Sequence, residues 1–92
     1  MSEESRFSAK IQGRVQGVGF RYFARECADE LEIVGYARNT SDGAVEVVAE
    51  GNRGRLARFI GLLKEGPRSA VVSEVDVSWE APTDTFDRFF VR

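Results

Sequence analysis

The apolar residues of this 92-residue chain follow two different periods, and the order in which those periods occur restricts the fold. Apolar and polar residues alternate, as in a half-buried strand, over residues 7–12, 34–39, 44–50 and 75–79. Apolar residues recur at helical spacing over residues 20–31 and 56–63. The segment Thr40-Ser41-Asp42-Gly43 separates the second and third strands, and its Asp-Gly pair predicts a hairpin turn.

The predicted order is strand, helix, strand, strand, helix, strand, followed by a short fifth strand over residues 86–91. Right-handed crossovers are nearly obligatory in such units, so this order predicts an α+β fold, a ferredoxin-like β-α-β-β-α-β sandwich. We expect a four- to five-stranded antiparallel sheet with two helices on one face. Residues 6–92 are expected to form a single domain that follows a disordered N-terminal tail, residues 1–5.

The segment Gly13-Arg14-Val15-Gln16-Gly17-Val18-Gly19-Phe20-Arg21 joins the first predicted strand to the first predicted helix. Free backbone N–H groups at a helix N-terminus, together with the helix dipole, favour an anion. Arg21, in the first turn of the helix, can add a planar fork of donors toward the same anion. This pattern predicts a phosphate-binding loop that needs no metal and no histidine, and the sequence contains no histidine.

Asn39 is the polar residue that we expect to lie opposite this loop. In the predicted topology the first and second strands run in the same direction, with the third strand between them. The loop after Gly13 and the turn after Asn39 should therefore leave the same edge of the sheet, about 10 Å apart. The carboxamide of Asn39 carries both a donor and an acceptor, which suits it to hold a water molecule.

Composition excludes several classes of function. The net charge of −2 argues against a broad nucleic-acid footprint, and no apolar run approaches the roughly 20 residues that span a bilayer. The single cysteine, Cys27, cannot form an internal disulfide, and the N-terminus has no apolar leader, so a reducing cytoplasm is the expected compartment. Cys27 lies on the apolar stripe and is expected to be buried. We expect a monomer without cofactor or metal.

Two of these segments make the chain resemble the acylphosphatase family. They are the nine residues from Gly13 to Arg21 and the motif Gly35-Tyr36-Ala37-Arg38-Asn39-Thr40, separated by a helix of the length that the family uses. The returning strand Gly43-Ala44-Val45-Glu46-Val47 and the terminal Phe89-Phe90-Val91-Arg92 also fit. The resemblance covers nearly the whole chain. One departure is Gly19, where members of the family often carry a larger side chain.

The resemblance implies metal-independent hydrolysis of the carboxyl–phosphate bond of a small acyl phosphate. It implies that Arg21 binds the phosphate and that Asn39 positions the attacking water. It also implies that backbone N–H groups of the loop hold the phosphate oxygens, namely those of Gln16, Gly17, Val18, Gly19 and Phe20. Gly13 and Thr40 are expected to support these groups, Thr40 by a hydrogen bond to Asn39.

The chemistry suits these residue types. The leaving carboxylate has a pKa of about 4, so it needs no proton from a general acid. Phosphoryl transfer is largely a matter of positioning and of stabilising charge, which Arg21 and several amide donors can supply. Asn39 cannot act as a strong base, so it would orient the water while the substrate phosphate takes the proton.

Two alternatives remain at the level of sequence. The same loop could serve a non-catalytic module that binds or senses acyl phosphate or carbamoyl phosphate. A ferredoxin-like domain could also bind RNA by stacking bases on aromatic residues of its central strands. Residues 44–50 contain no aromatic residue, and Phe7 is the only one on the first strand, so the RNA-binding alternative is disfavoured.

Overall fold

Strands and helices follow one another in the order that the periodicity predicts. The structure is a computed structural model and describes residues 3–92. Its elements are β1 (Glu4–Arg14), α1 (Phe20–Glu30), β2 (Val34–Asn39), β3 (Val45–Asn52), α2 (Arg53–Glu65), β4 (Val71–Glu80) and β5 (Phe89–Val91). Within this range, no helix has the length and apolar character that crossing a membrane requires.

The strands form a sheet in the order β4-β1-β3-β2-β5, which confirms the predicted α+β, ferredoxin-like fold. β3 is central and antiparallel to both β1 and β2, so β1 and β2 run in the same direction. The prediction of a wholly antiparallel sheet is wrong, because β5 pairs parallel to β2. The chain crosses from β4 at one edge to the opposite edge before it forms β5. This fifth strand covers Phe89–Val91 and is shorter than the predicted 86–91.

The first strand begins earlier than its side-chain pattern indicates. β1 starts at Glu4 and pairs with β3 from there, so the predicted disordered tail of residues 1–5 is too long. Met1 and Ser2 of that predicted tail lie outside the described residues. The polar N-terminal residues give no alternation, but the backbone of β3 provides a hydrogen-bonding partner whatever the side chains are.

Both helices cover one face of the sheet and enclose the core. Phe59 of α2 packs against side chains from two strands, with its ring centroid 6.1 Å from that of Phe7 in β1 and 5.9 Å from that of Phe89 in β5. Burial of such a side chain contributes roughly 1.5–3 kcal/mol. Cys27, which was expected to be buried, is half-buried on α1, and this burial raises the pKa of its thiol. The fixed helices determine where the loop before α1 lies.

A buried charge fastens the connection between β4 and β5 to the sheet. Ala49 belongs to the core, so the next residue, Glu50, faces the side without helices, where it is 4% exposed. Its carboxylate accepts hydrogen bonds from the Arg6 guanidinium at 2.7 Å and from the Thr83 hydroxyl at 2.7 Å. The backbone amides of Thr83 and Asp84 donate to it at 3.1 and 3.0 Å. Burial alone raises the pKa of Glu50, but these donors outweigh that effect and lower the pKa to about 2.

We expect Glu50→Gln to lower the free energy of unfolding near neutral pH by about 2–3 kcal/mol, because the neutral amide loses charge-assisted hydrogen bonds. The pKa of Glu50 is depressed in the folded state. Its contribution is therefore fully present above the unfolded pKa of about 4.3 and is lost as the pH falls toward 2.

Urea unfolding at several pH values, followed by circular dichroism, tests this expectation. The difference between wild type and Glu50→Gln should shrink as the pH falls below about 4.3. Glu74→Gln, on the exposed part of β4, serves as the control and should change the unfolding free energy by less than about 0.5 kcal/mol. A Glu50→Gln deficit that is independent of pH would contradict the assigned ionisation.

Candidate active site

The carboxyl ends of β1, β2 and β5 lie at the same edge of the sheet. β1 and β2 run in the same direction on either side of β3, and β5 runs parallel to β2. The loop that enters α1 leaves this edge after Arg14, and the hairpin turn leaves it after Asn39. The sheet topology therefore brings together the two segments in which the sequence analysis places the site.

The loop between β1 and α1 is anchored by a buried residue at each end. Val15 and Phe20 are 1% exposed, whereas Gly17 and Gly19 between them have left-handed φ angles of 75° and 77°. Gly19 is the N-cap residue of α1, and no side chain caps this helix. The amides of the first helical turn therefore keep donors available for a ligand, and the helix dipole favours a negative one. The loop can hold an anion through its main chain.

Gly13 allows the end of β1 to lie directly against β4. It adopts a φ of 128°, at a point where the register between the two strands shifts. A Cβ atom at this position would lie 2.0 Å from the carbonyl oxygen of Val71, far inside van der Waals contact. Gly13 thus supports the loop by permitting a close backbone approach rather than by contacting a ligand.

The side chain of Gln16 joins the loop to the hairpin turn. Its Nε2 atom donates to the carbonyl oxygen of Thr40 and to that of Ala44, each at 2.8 Å. The sequence analysis selected Gln16 for its backbone amide and missed this bridge. A carboxamide among glycine and valine residues is the only signal in the loop that could have drawn attention to it.

Asn39 ends β2 and carries an unpaired polar atom. It pairs with Val45 at the last position of the β2–β3 ladder. Its Oδ1 atom is buried and accepts no hydrogen bond from the described residues. A buried acceptor without a donor costs about 1–3 kcal/mol, so such an atom indicates a site where a ligand or water binds.

Thr40 closes the hairpin turn. The hydrogen bond that had been expected between Thr40 and Asn39 is not formed. Its hydroxyl contacts Asp42 and accepts from the Ala44 amide at 3.0 Å. The Thr40 amide in turn donates to the Ala44 carbonyl at 2.9 Å. Thr40 therefore acts on the conformation of the turn, since this short polar side chain satisfies the backbone of its own turn.

Arg21 extends from the first turn of α1 toward the end of β5. Its guanidinium donates to the backbone oxygen of Arg92 at 2.6 Å. The amide of Arg92 donates to the carbonyl oxygen of Ala37 at 2.9 Å, which continues the β2–β5 ladder. The Arg92 guanidinium lies over the ring of Tyr36, 4.0 Å from its centroid. Arg21 is thus held beside β2, near the end of the strand that carries Asn39, through a residue to which the sequence analysis gave no role.

Metal-ligand side chains do not cluster here. Among residues 3–92, no group of three or more His, Cys, Asp and Glu side chains could hold a metal ion. The donors at this edge are backbone amides, the Arg21 guanidinium and two carboxamides. This donor set suits an oxyanion such as phosphate.

Known proteins are similar to this chain in sequence and in fold. The acylphosphatase family model matches residues 7–91. A protein named acylphosphatase from Salinibacter ruber is 51% identical over 89 residues, which cover 97% of this chain and 94% of that protein. The crystal structure of acylphosphatase from Bacillus subtilis matches with a TM-score of 0.93 at 34% identity, over 96% of this chain and 98% of that one. An acylphosphatase structure from Coxiella burnetii gives 0.92 at 38% identity, over 97% and 93%.

Two glycine substitutions should separate crowding from backbone strain in this loop. Gly13→Ala should cost several kcal/mol, about 3 or more, because the methyl group meets the fixed backbone of β4 in addition to the strain of the positive φ. Gly19→Ala has open space around the new Cβ atom and should cost only about 1 kcal/mol, for the left-handed conformation. Thermal unfolding of both variants measures the difference. Equal losses at the two positions would contradict this assignment.

Proposed function

Because the chain belongs to the acylphosphatase family, we propose that its hydrolytic reaction is carried out by the loop of residues 16–20, Arg21 and Asn39. The protein is an enzyme that hydrolyses the carboxyl–phosphate bond of acyl phosphates to a carboxylate and inorganic phosphate. Nothing in the comparisons favours the alternative of a non-catalytic binding module. The proposal concerns how the residues at the sheet edge perform this reaction.

The phosphate is held by main-chain donors and a single guanidinium. The amides of Gln16, Gly17, Val18, Gly19 and Phe20 surround its oxygens, and the dipole of α1 adds to their potential. Arg21 supplies charge-assisted hydrogen bonds, each contributing about 1.5–3 kcal/mol. Its contact with the Arg92 backbone orients the guanidinium and leaves other N–H groups of the fork for the substrate. These donors stabilise the charge that develops on the transferring phosphoryl group.

Asn39 orients the attacking water, and its unpaired Oδ1 atom is the observation that carries the proposal. The oxygen can accept a hydrogen bond from a water molecule, while the side-chain N–H group has no acid–base role. The water attacks phosphorus opposite the departing carboxylate, which needs no protonation because its pKa is about 4. The proton of the water passes to a phosphate oxygen. Each step of this reaction uses only side chains and amides of the protein, the water and the substrate. We therefore infer that catalysis requires no metal.

We also infer that the enzyme acts in the cytoplasm as a monomer. The support is indirect: the single cysteine, which is free, suits a reducing compartment. Helices that cover one face of the sheet leave on the other face a set of charged pairs, which include Arg38 with Glu46 and Lys10 with Asp42. Such a polar face is a poor surface for stable self-association.

Removal of the Asn39 carboxamide should abolish most turnover without unfolding the protein. We expect Asn39→Ala to lower kcat for benzoyl phosphate by roughly 10²-fold, because the water loses its orientation. The loss of ultraviolet absorbance of the substrate measures the rate, and EDTA in the assay should leave the wild-type rate unchanged.

Asn52→Ala is the matched control for this substitution. Asn52 caps α2 by accepting a hydrogen bond from the Arg55 amide at 3.1 Å, far along β3 from the site. Its loss should lower stability by about 1 kcal/mol and leave kcat unaltered. Full turnover by Asn39→Ala would contradict the proposal that Asn39 orients the attacking water.

The shape of the Arg21 guanidinium should matter as well as its charge. Arg21→Lys keeps the charge but loses the planar fork, so kcat/KM should fall by roughly 10²-fold. Arg25→Lys, one helical turn further along α1, is the control and should stay within about twofold, because its guanidinium lies over Tyr22 and not toward Arg92. Steady-state kinetics on benzoyl phosphate compare the two, and near-normal kinetics of Arg21→Lys would refute its role.

A further inference from the structure

We propose that the side-chain carboxamide of Gln16 is a positioning group that fixes Asn39 relative to the phosphate-binding loop. This inference rests on the proposed function. It adds a role for a side chain, since the reaction as described uses only the backbone amide of Gln16. The Nε2 atom makes the contacts that carry it, and both of its acceptors belong to the hairpin turn after Asn39.

The sheet alone does not fix the loop against Asn39. β3 lies between β1 and β2, so no backbone ladder joins the strand that leads into the loop to the strand that ends at Asn39. Beyond their ends, the loop and the turn extend past the hydrogen-bonded part of the sheet. A link between them must therefore come from side chains, and the Gln16 carboxamide crosses the end of β3 to provide one.

The geometry of this link is tight. Both contacts measure 2.8 Å and are partly buried, and together they use the two N–H groups of one planar amide. One acceptor belongs to Thr40, the residue directly after Asn39. The other belongs to Ala44, whose carbonyl also accepts from the Thr40 amide and so closes the turn. A shift of the turn relative to the loop would have to break at least one of these bonds.

A second side-chain link to the turn lacks these properties. Lys10 of β1 donates to Asp42 at 2.6 Å, but the two side chains are 44% and 57% exposed. An exposed ion pair of this kind is worth about 0.2–1 kcal/mol. It also attaches to the tip of the turn rather than to the backbone next to Asn39. Lys10 therefore provides the matched control for loss of a tether that does not position the site.

The expected consequence is a loss of kcat without a loss of phosphate affinity. The loop amides and Arg21 that bind phosphate remain when the Gln16 side chain is changed, whereas the carboxamide of Asn39 can drift from the water position. Displacement by about 1 Å can cost up to 10²-fold in rate. A purely structural role would lower stability and would not separate turnover from binding.

A double-mutant cycle with Gln16→Met and Asn39→Ala tests the proposal. Gln16→Met should lower kcat for benzoyl phosphate by roughly tenfold and leave the inhibition constant for inorganic phosphate within about twofold. Because Gln16 acts through Asn39, adding Gln16→Met to Asn39→Ala should cause no further loss of kcat. Lys10→Met should leave both quantities within about twofold of wild type.

Three outcomes would overturn it: unchanged kcat in Gln16→Met, losses that add in the double variant, or an equal effect of Lys10→Met. Failure of the proposed function looks different, since Asn39→Ala would then retain full turnover by itself. If Gln16→Met lacks the native circular dichroism spectrum, Gln16→Asn replaces it in the cycle. That variant keeps a carboxamide but is one methylene too short for both carbonyls, so the same expectations apply.

Discussion

The ladder of β3 with its two neighbours is the constraint on which the rest of the structure depends. Because β3 is antiparallel to both β1 and β2, these outer strands must run in the same direction and end at the same edge. Their connections start 25 residues apart in sequence, at Arg14 and Asn39, and yet meet in space. β5 adds a third carboxyl end there by pairing parallel to β2, and through Arg92 it supplies the acceptor that orients Arg21.

The chemistry at this edge is built from groups whose charge does not change near neutral pH. Arginine remains protonated, and main-chain amides and carboxamides do not titrate. Such a donor set suits a reaction whose leaving group departs as a stable anion and whose nucleophile is water. In the proposed mechanism the task of the protein is geometric: it must hold the phosphate loop, a guanidinium and a carboxamide at fixed distances. The core under α1 and the side-chain bridge to the hairpin turn serve this purpose.

Local pattern was sufficient to locate most of the elements and to bring the two candidate segments to one edge of the sheet. Alternation and helical spacing located the four longer strands and both helices, and strand direction then placed Asn39 at the same edge as the loop. The parallel pairing of β5 could not be predicted, since it depends on how residues 81–88 cross the sheet. Hydrogen bonds to the Glu50 carboxylate fix that crossing. The start of β1 at Glu4 was missed for a similar reason, because its partner is backbone.

The partners of individual side chains could not be predicted from the sequence either. Thr40 was expected to bond to Asn39, yet its hydroxyl finds nearer partners in its own turn. Arg92 orients Arg21 across 71 positions of the chain, and nothing in its local sequence signals this contact. The contact between Arg21 and Arg92 depends on a distance that exists only after the sheet has formed.

The unpaired oxygen of Asn39 has a further consequence for how such a protein can change. In the proposed mechanism the protein keeps a buried oxygen that its own donors do not satisfy, so the residue at position 39 favours activity at the expense of stability. Selection for heat tolerance alone would replace this carboxamide with an apolar side chain, whereas selection for turnover must retain it. Adaptation to a hotter environment would therefore have to draw its gains from elsewhere in the molecule.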